Sequence, residues 1–257
     1  MFMKLKYYCL LIVCLSSSLF LVSCGQNLKR EEVFIVGTNA AYPPFEYIDK
    51  EGKIVGFDID VAEAVSSKLN KRLEIRDFSF DALLLNLKRN RVDAVISGMS
   101  ITPSRKKEIV MIPYYGEGVY SLTAISRNNI TEQCVVPLSQ YSSVAVQTGT
   151  YQEDYLRSLP NVAIRSFDSA LEVIMEVLGK KSPLAVFEPS VARVVLKDFP
   201  ELHCTQICLP ESWWVLGYGI GISKDNESLV QEVSQAISEL KTEGVLHKLE
   251  EKWGLSK

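Results

Sequence analysis

An arginine placed just inside a helix-opening motif offers the clearest chemistry in this sequence. Thr102 followed by Pro103 predicts the cap and first residue of a helix, since threonine accepts free backbone N–H groups and proline lacks one. This start turns Arg105 back toward the end of the preceding segment. A guanidinium group held there can grip a carboxylate through two parallel hydrogen bonds. Spacing alone leaves a second possibility open, a surface ion pair with Glu108.

A carboxylate follows a short apolar segment in the second half of the chain. The segment 184–187 is typical of a buried strand, and Glu188 comes directly after it. Ligands of open α/β sheets bind beyond the carboxyl ends of strands, so Glu188 could meet a cationic group there. Alternatively, Glu188 is an acid at the start of a helix opened by Pro189, where it favours the helix dipole. Both roles can hold at once.

Strand and helix signals alternate around these two residues. The predicted strands are 33–37, 92–96, 144–147, 162–167 and 184–187. The predicted helix starts are Asp58, Asp81, Asp168 and Pro189. A long apolar stripe also predicts helix over 229–253. This alternation predicts an α/β protein with a parallel or mixed sheet covered by helices.

Two such series joined by apolar runs, 119–125 and 218–222, predict two lobes. The predicted organisation is a signal segment at 1–23, a first lobe from 24–120 and 217–257, and a second lobe at 121–216. Because ligands bind beyond the carboxyl ends of strands, two facing lobes enclose one ligand cleft.

The first residues predict export and lipid attachment. Lys4 and Lys6 precede the apolar stretch 7–22. Residues 21–24, Leu-Val-Ser-Cys, resemble the lipobox of bacterial lipoproteins, which implies acylation of Cys24. We therefore expect a periplasmic or cell-surface protein anchored in a membrane by lipid. An ordinary signal peptide with a chance cysteine, or a transmembrane anchor, is the alternative.

Composition and cysteine count exclude other classes. A net charge of −3 over 257 residues gives no general attraction to nucleic acid. Cys134, Cys204 and Cys208 allow one internal disulfide and leave one thiol. A zinc site would need a further ligand beyond Cys204, Cys208 and His203, so we expect structural cysteines, no metal and no cofactor. We also expect a monomer.

Several short motifs stand in an order that resembles a known family. The motifs are Tyr-Pro-Pro-Phe-Glu at 42–46, Gly-Phe-Asp-Ile-Asp at 56–60, Gly-Met-Ser-Ile-Thr at 98–102 with Arg105, Gly-Thr at 149–150, Glu188, and Lys-Trp-Gly at 252–254. Over 33–254 the chain resembles the solute-binding proteins of bacterial ABC importers for polar amino acids, most of all the arginine-binding members. The resemblance implies the two-lobed type II periplasmic-binding-protein fold, with the ligand cleft between lobes.

The resemblance also implies roles for residues at the cleft. Arg105 would clamp the ligand α-carboxylate, helped by backbone N–H groups around Ser100 and Tyr151. Glu188, where the family commonly has aspartate, would pair with the α-ammonium group together with Ser100 and the carbonyl group of Gly98. The neighbouring residues implied as contacts are Ser97, Met99 and Thr150.

The side-chain pocket is implied by aromatic positions. Tyr42 and Phe80 correspond to the rings that sandwich the ligand side chain in binders of basic amino acids. A planar guanidinium stacks on such rings with about 0.5–2 kcal/mol of attraction. Asn39, Glu46 and Gln147 would supply acceptors at the far end. The alternative makes Tyr42 and Phe80 core aromatics and Glu46 a solvated charge.

The implied function is an extracytoplasmic receptor. It would close its lobes around arginine or another basic amino acid and deliver it to the permease of an ABC importer. A binder of glutamine or another polar amino acid, a surface adhesin and a dehydratase-like enzyme on the same fold are alternatives. His203 and His247 lie in no matched motif, and no nucleophile, phosphate or zinc signature occurs, so we do not expect an enzyme.

Overall fold

The computed structural model describes residues 32–116, 118–132 and 134–256. The predicted signal segment 1–23 and the predicted acylation site Cys24 lie outside these residues, so both stay predictions. Across the described ranges, no helix is both long and apolar enough to cross a bilayer.

Strands and helices alternate along the described chain. In chain order the strands are β1 (Val33–Thr38), β2 (Ala41–Tyr42), β3 (Glu46–Ile48), β4 (Ile54–Val55), β5 (Arg72–Asp77), β6 (Ala94–Val95), β7 (Ser100–Ile101), β8 (Val110–Tyr115), β9 (Ser121–Ser126), β10 (Val144–Gln147), β11 (Ile164–Phe167), β12 (Leu184–Phe187), β13 (His203–Cys208) and β14 (Leu216–Ile222). The α-helices are α1 (Phe57–Leu69), α2 (Leu83–Lys88), α3 (Pro103–Glu108), α4 (Tyr151–Ser158), α5 (Ala170–Leu178), α6 (Pro189–Asp198), α7 (Glu227–Thr242) and α8 (Val245–Lys252).

The strands build two mixed sheets. The first sheet has the order β5-β1-β6-β14-β7, with β8 also paired to β14. In it β1 runs parallel to β5 and β6, while β14 runs antiparallel to its partners. The second sheet has the order β11-β10-β12-β9-β13, in which β10 runs parallel to β11 and β12. The strands β2, β3 and β4 form a small separate sheet.

The chain passes from the first sheet to the second between Tyr115 and Ser121. It returns between Cys208 and Leu216. Each sheet is therefore built from one stretch of chain apart from β14, which completes the first sheet late in the sequence. The lobe boundaries themselves stay a prediction.

Buried apolar residues of sheets and helices form the core. In the first sheet Phe34 and Val36 belong to the same buried cluster as Val233 and Ile237 of α7. In the second sheet the central strands β10 and β12 are buried along their whole length, as expected for strands covered on both faces.

The predicted strands 144–147 and 184–187 and the helix start at Pro189 are confirmed. The strand predicted at 33–37 extends one residue further, to Thr38. Those predicted at 92–96 and 162–167 are shorter, at Ala94–Val95 and Ile164–Phe167.

Three predicted helix caps are wrong. Helix α1 begins at Phe57 with Gly56 in the cap position, and Asp58 is a buried second residue whose carboxylate has tertiary partners. Asp81 lies inside a 3-10 turn, Phe80–Ala82, that precedes α2. Helix α5 is capped by Ser169, one residue after the predicted Asp168, because Ser169 and Glu172 form a reciprocal capping box.

The helix predicted over 229–253 is two helices. Gly244 separates α7 from α8 and has a φ of 71°, a left-handed conformation that glycine adopts readily. The apolar stripe continues across this break because Leu246 is buried in the same cluster as Leu240.

The three cysteines after the predicted signal segment and Cys24 form one disulfide and leave one thiol, as their number allows. Cys134 and Cys208 form a disulfide, while Cys204 is a free, exposed thiol.

Candidate functional site

The carboxyl ends of strands from both sheets meet at one cavity. Gly98 follows β6, Gln147 ends β10, and Glu188 follows β12, in agreement with the rule that ligands of α/β sheets bind beyond strand ends. The cavity is lined by Tyr42, Phe80, Gly98, Ser100, Arg105, Gln147, Thr150, Tyr151, Gln152 and Glu188.

The helix start that positions Arg105 is confirmed. The Thr102 hydroxyl accepts a hydrogen bond from the Arg105 backbone N–H at 3.2 Å, and Pro103 is the first residue of α3. The Arg105 side chain is buried, and its guanidinium lies 5.5 Å from the centre of the Phe80 ring. Glu108 pairs with Lys88 at 2.6 Å, so the alternative surface ion pair with Arg105 is wrong.

The guanidinium group of Arg105 donates to two backbone carbonyl groups. Its Nη1 atom is 2.8 Å from the carbonyl oxygen of Ser100, and its Nη2 atom is 3.1 Å from that of Gly149. Burial lowers the pKa of Arg105, and the nearby Glu188 carboxylate opposes that change. A buried cation bonded only to neutral carbonyls favours an anionic ligand group beside it.

Glu188 lies both at the start of a helix and at the cleft end of a strand, the two positions that the sequence left open. It is the cap residue before Pro189, although its side chain makes no cap hydrogen bond. Instead it turns into the cavity, where its Oε1 atom accepts from the Ser100 hydroxyl at 2.5 Å. Burial raises the pKa of Glu188, and the hydroxyl groups of Ser100 and Tyr218 together with the charge of Arg105 act against this.

Contacts between the two sheets close the cavity. They include Ser100 to Glu188, Arg105 to Gly149, and the Gln147 amide to the Asn39 side chain at 3.0 Å. Gly149 also lies against Asp81, since a Cβ atom on Gly149 would be 2.9 Å from the Asp81 Cα atom. With its φ of 74°, Gly149 has two reasons to lack a side chain.

Aromatic side chains form much of the wall. Tyr42 stacks on Phe45 with ring centres 6.1 Å apart, so it is both a core residue and a wall residue. Phe80 is half-buried beside Arg105. The Tyr151 hydroxyl donates to the carbonyl oxygen of Trp213. Thr150 caps α4, accepting from the Glu153 N–H and donating to the Gln147 carbonyl.

Four of the residues predicted as contacts do not line the cavity: Asn39, Glu46, Ser97 and Met99. Asn39 and Ser97 stand one layer behind it, the Asn39 N–H donating to the Ser97 hydroxyl and the Asn39 amide to the carbonyl oxygen of Phe78. Met99 is packed in an apolar cluster of the first sheet.

Glu46 is fully buried, so the alternative that it is a solvated charge is wrong. Its Oε1 atom accepts from Ser97 at 2.8 Å. Burial raises the pKa of Glu46 well above its usual value, and the neighbouring Asp58 carboxylate raises it further. Asp58 in turn accepts from the Gly98 N–H at 2.5 Å and the Tyr114 hydroxyl at 2.8 Å.

Gln152 is the lining residue that the sequence reasoning missed. It is buried in the first turn of α4, directly after Thr150 and Tyr151. The available signal was that α4 begins where β10 ends, so its first turn faces the same cleft as the cap. Without this argument from position, a glutamine in the first turn of a helix is expected to be an exposed surface residue.

Unpaired polar atoms gather at this cavity. Buried side-chain atoms without a hydrogen-bond partner include the Gln147 Oε1 atom, both amide atoms of Gln152 and the Glu188 Oε2 atom. Folded proteins leave few such atoms, because each costs about 1–3 kcal/mol. Arg105 and Glu188 add one positive and one negative group. The cavity is therefore suited to a small polar ligand that carries both charges.

Known proteins of closely related sequence are receptors for amino acids. The chain is 60% identical over 228 residues to a probable ABC transporter arginine-binding protein of Chlamydia trachomatis, covering 89% of this chain and 88% of the relative.

Solved structures share the fold as well. A Salmonella typhimurium periplasmic binding protein with high arginine specificity matches with a TM-score of 0.79 and 27% identity, over 86% of this chain and 99% of that one. An ancestral arginine-binding protein bound to glutamine matches with a TM-score of 0.78 and 30% identity, over 88% and 99%. These neighbours are two-lobed binding proteins, which confirms the fold predicted from the sequence.

The family model that matches covers residues 34–256, nearly the whole described chain. The strand ends, the buried Arg105 and Glu188, and the cleft between two sheets all lie inside that match. The chain belongs to the bacterial extracellular solute-binding proteins, family 3.

Proposed function

We propose that this protein binds free arginine in the cavity between its two sheets and delivers it to the permease of an ABC importer. The observation that carries the proposal is the buried pair of opposite charges, Arg105 and Glu188, among unpaired polar atoms in one cavity. An α-amino acid supplies a carboxylate and an ammonium group on adjacent atoms, which matches that pair.

The α-carboxylate would bind at Arg105. The two Nη atoms now donate to the carbonyl oxygens of Ser100 and Gly149, and a carboxylate is a stronger acceptor than either carbonyl. The first turn of α4 faces the same cavity, and free N–H groups at a helix start favour an anion. This supports a carboxylate held between Arg105 and the residues around Tyr151.

The α-ammonium group would bind at Glu188. The Oε2 atom of Glu188 is buried without a partner, and the Ser100 hydroxyl already lies on its Oε1 atom. An ammonium group has three donors, so it can reach Oε2, the Ser100 oxygen and the carbonyl of Gly98 together.

The ligand side chain would lie between Tyr42 and Phe80, with the amide oxygens of Gln147 and Gln152 as acceptors. A guanidinium group combines a flat face for the rings with five donors for such oxygens. The Chlamydia trachomatis relative is a probable arginine-binding protein and the Salmonella typhimurium protein has high arginine specificity, which supports arginine over lysine for this chain.

Binding would stabilise a closed form. Arg105 and Ser100 belong to the first sheet's part of the chain, whereas Glu188 and Gly149 belong to the second's. A ligand that contacts both parts has its highest affinity for the conformation in which they meet, so it shifts the population toward closure. We propose that the two sheets form lobes bounded as the sequence predicts, at 24–120 with 217–257 and at 121–216.

The partners and the location follow from the same proposal. The closed receptor would dock on a membrane permease, and acyl chains on Cys24 would hold it beside that permease. We propose that it acts as a monomer on the periplasmic or cell-surface side.

Glutamine is the second candidate. The Gln147 and Gln152 side chains can pair with a neutral amide as well as with a guanidinium, and a solved relative holds glutamine. The proteins that resemble this chain are solute-binding proteins rather than enzymes, so a dehydratase is not supported.

A thermal-shift screen with each common amino acid tests the proposal. The protein is unfolded and refolded first, so that carried ligand is removed. A ligand that binds only the folded state raises Tm with its concentration over Kd. We expect arginine to give the largest rise. A larger rise with glutamine would contradict the ligand, and no rise with any amino acid would contradict the function.

A further inference from the structure

Tyr218 stands directly behind the ammonium end of the cavity without lining it. Its strand, β14, belongs to the first sheet, but its hydroxyl meets the Ser190 hydroxyl of α6 at 2.9 Å. Glu188, Ser190 and Tyr218 line a second cleft. Glu188 is therefore part of the wall of both the ligand cavity and this second cleft.

Strand register brings the Tyr218 side chain to Glu188. Tyr218 pairs directly with Ser100 in the antiparallel ladder of β14 and β7. Directly opposed residues of an antiparallel pair project on the same face, about 4.5–5.5 Å apart at Cβ. Since the Ser100 hydroxyl donates to Glu188 at 2.5 Å, the Tyr218 side chain projects from the face of the sheet on which Glu188 lies. The register shifts on both sides of Tyr218, an irregularity of the kind that re-aims side chains near sites.

Packing fixes the Tyr218 ring. The side chain is 2% exposed. Its ring lies edge-on to Phe45 with centres 5.0 Å apart, and 5.7 Å from the ring of Tyr115. A ring clamped in this way cannot follow a moving carboxylate, so the hydroxyl is a fixed point against which Glu188 is oriented.

We propose that Tyr218 is a positioning residue for the amino-acid ligand: its hydroxyl, held by Ser190, donates to the Glu188 oxygen that already accepts from Ser100 and so leaves the unpaired Oε2 atom aimed at the ligand ammonium group. The inference rests on the proposed function. When Tyr218 donates to Glu188, the Tyr218 oxygen accepts a hydrogen bond from the Ser190 hydroxyl. Each of the two hydroxyl groups then donates one hydrogen bond. Because Tyr218 belongs to the first sheet and Ser190 to a helix that follows a strand of the second sheet, this arrangement is complete only when the two parts of the chain meet.

The surroundings of Glu188 fit this role. The groups that face it are the Ser100 hydroxyl from β7, Arg105 from α3, Tyr42 from β2, Tyr151 from α4 and Tyr218 from β14. A hydrogen bond from Tyr218 would favour the ionised carboxylate, in keeping with the lowering effect of Tyr218 on the pKa of Glu188 against that of burial. Losing that donor would make the carboxylate easier to protonate, and a protonated Glu188 cannot pair with an ammonium group.

The test compares Tyr218→Phe with wild type by calorimetric titration, using arginine and 5-guanidinopentanoic acid, which lacks only the α-ammonium group. We expect a roughly tenfold loss of arginine affinity, as for one hydrogen bond to a charged group, and little change for the analogue. Equal losses for both ligands would mean that Tyr218 is merely structural and would overturn the proposal. So would unchanged arginine affinity.

The matched control is Tyr115→Phe. Tyr115 lies in the same aromatic cluster, but its hydroxyl donates to the carbonyl oxygen of Leu255 at 3.3 Å. We expect wild-type arginine affinity in this variant. An equal loss in the control would attribute the effect to the cluster and overturn the role of the Tyr218 hydroxyl.

A pH profile gives a second readout. Because Tyr218→Phe raises the pKa of Glu188, arginine affinity should begin to fall at a higher pH in the variant as the solution is acidified. Superimposable profiles would overturn the proposal. Failure of the proposed function is separable from all these outcomes, since in that case the wild-type protein itself binds no arginine.

Discussion

At the scale of single residues, Arg105 and Glu188 give the site its chemistry. Both are buried, and both are bonded to neutral groups within the protein. A buried charge costs free energy unless it is well paired, and the two charges compensate each other only through the space between them. A zwitterion placed in that space gives each charge a direct partner.

The Phe80 ring can stack on the ligand side chain or hold the Arg105 guanidinium group, and one experiment distinguishes these two roles. In the Phe80→Ala variant, loss of stacking on the ligand would weaken arginine about 2- to 30-fold, from an attraction of about 0.5–2 kcal/mol. The short ligand 2,4-diaminobutyrate should lose less. Comparable losses for both would mean that Phe80 acts by holding Arg105, which lies 5.5 Å from its ring.

The site could be predicted from sequence where a motif fixed the backbone. Thr102-Pro103 determined where Arg105 points, and the apolar run before Glu188 determined where that carboxylate lies. Glu46 shows the limit, because sequence cannot tell a pocket carboxylate from one buried a layer behind, beside Ser97. Gln152 was missed because its burial depends on how two distant segments meet. The ligand roles of all these residues stay predictions.

At the scale of elements, the turn between β10 and α4 packs closely against Asp81, from the first sheet's part of the chain. Gly149→Ala would place a Cβ atom 2.9 Å from the Asp81 Cα atom, a clash that exists only when the sheets meet. The left-handed strain of roughly 1–2 kcal/mol destabilises the open and closed forms alike, whereas the clash destabilises the closed form alone. We therefore expect arginine affinity to fall at least about tenfold.

Gly254→Ala is the matched control for that substitution. Its φ of 66° imposes a similar backbone strain, but no atom lies within 4 Å of the added Cβ position. We expect its stability to fall while arginine affinity stays at the wild-type value. Equal affinity losses in both variants would contradict the contact with Asp81.

A buried pair of carboxyl groups joins the start of α1 to β3. Burial raises the pKa of Asp58 to about 6, although hydrogen bonds from Gly98, Glu46 and Tyr114 act against this, and the pKa of Glu46 is raised as well. Because burial raises both pKa values, the folded protein holds protons that the unfolded chain releases. Stability from this pair is present at low pH and is lost as pH rises.

We therefore expect Asp58→Asn to gain stability relative to wild type as pH rises from about 4 to 7, by roughly 2–3 kcal/mol at most. Urea unfolding at several pH values measures this difference. Asp225→Asn, at an exposed position, should track wild type throughout. A constant difference between Asp58→Asn and wild type would contradict the raised pKa of Asp58.

Elements were predictable where local signals and packing agreed. The strands 144–147 and 184–187 are continuous apolar runs, and burial on both faces keeps them as predicted. Asp58 was wrongly predicted as a helix cap because an acidic residue near a helix start commonly has that role. Its carboxylate instead accepts hydrogen bonds from the Gly98 N–H and the Tyr114 hydroxyl. Such long-range partners leave no mark in the local sequence.

At the scale of the whole molecule, the family and the two-lobed fold are confirmed by the match over residues 34–256, and the expectation of a binding protein rather than an enzyme is confirmed by the relatives. The two sheets meet through hydrogen bonds such as Gln147 to Asn39 and Ser100 to Glu188. A ligand that contacts both sides adds to these bonds in the closed form alone, so it can control closure.

The most direct test of the central claim is calorimetric titration of ligand-free protein with arginine, beside the variants Arg105→Ala and Lys106→Ala. Lys106 is the exposed neighbour of Arg105 on the same helix and serves as the control. We predict one arginine per chain for wild type and Lys106→Ala, and a loss of at least about 100-fold in Arg105→Ala, because Glu188 and the ligand carboxylate would lack their cation. Arginine binding of wild-type strength in Arg105→Ala would contradict the account.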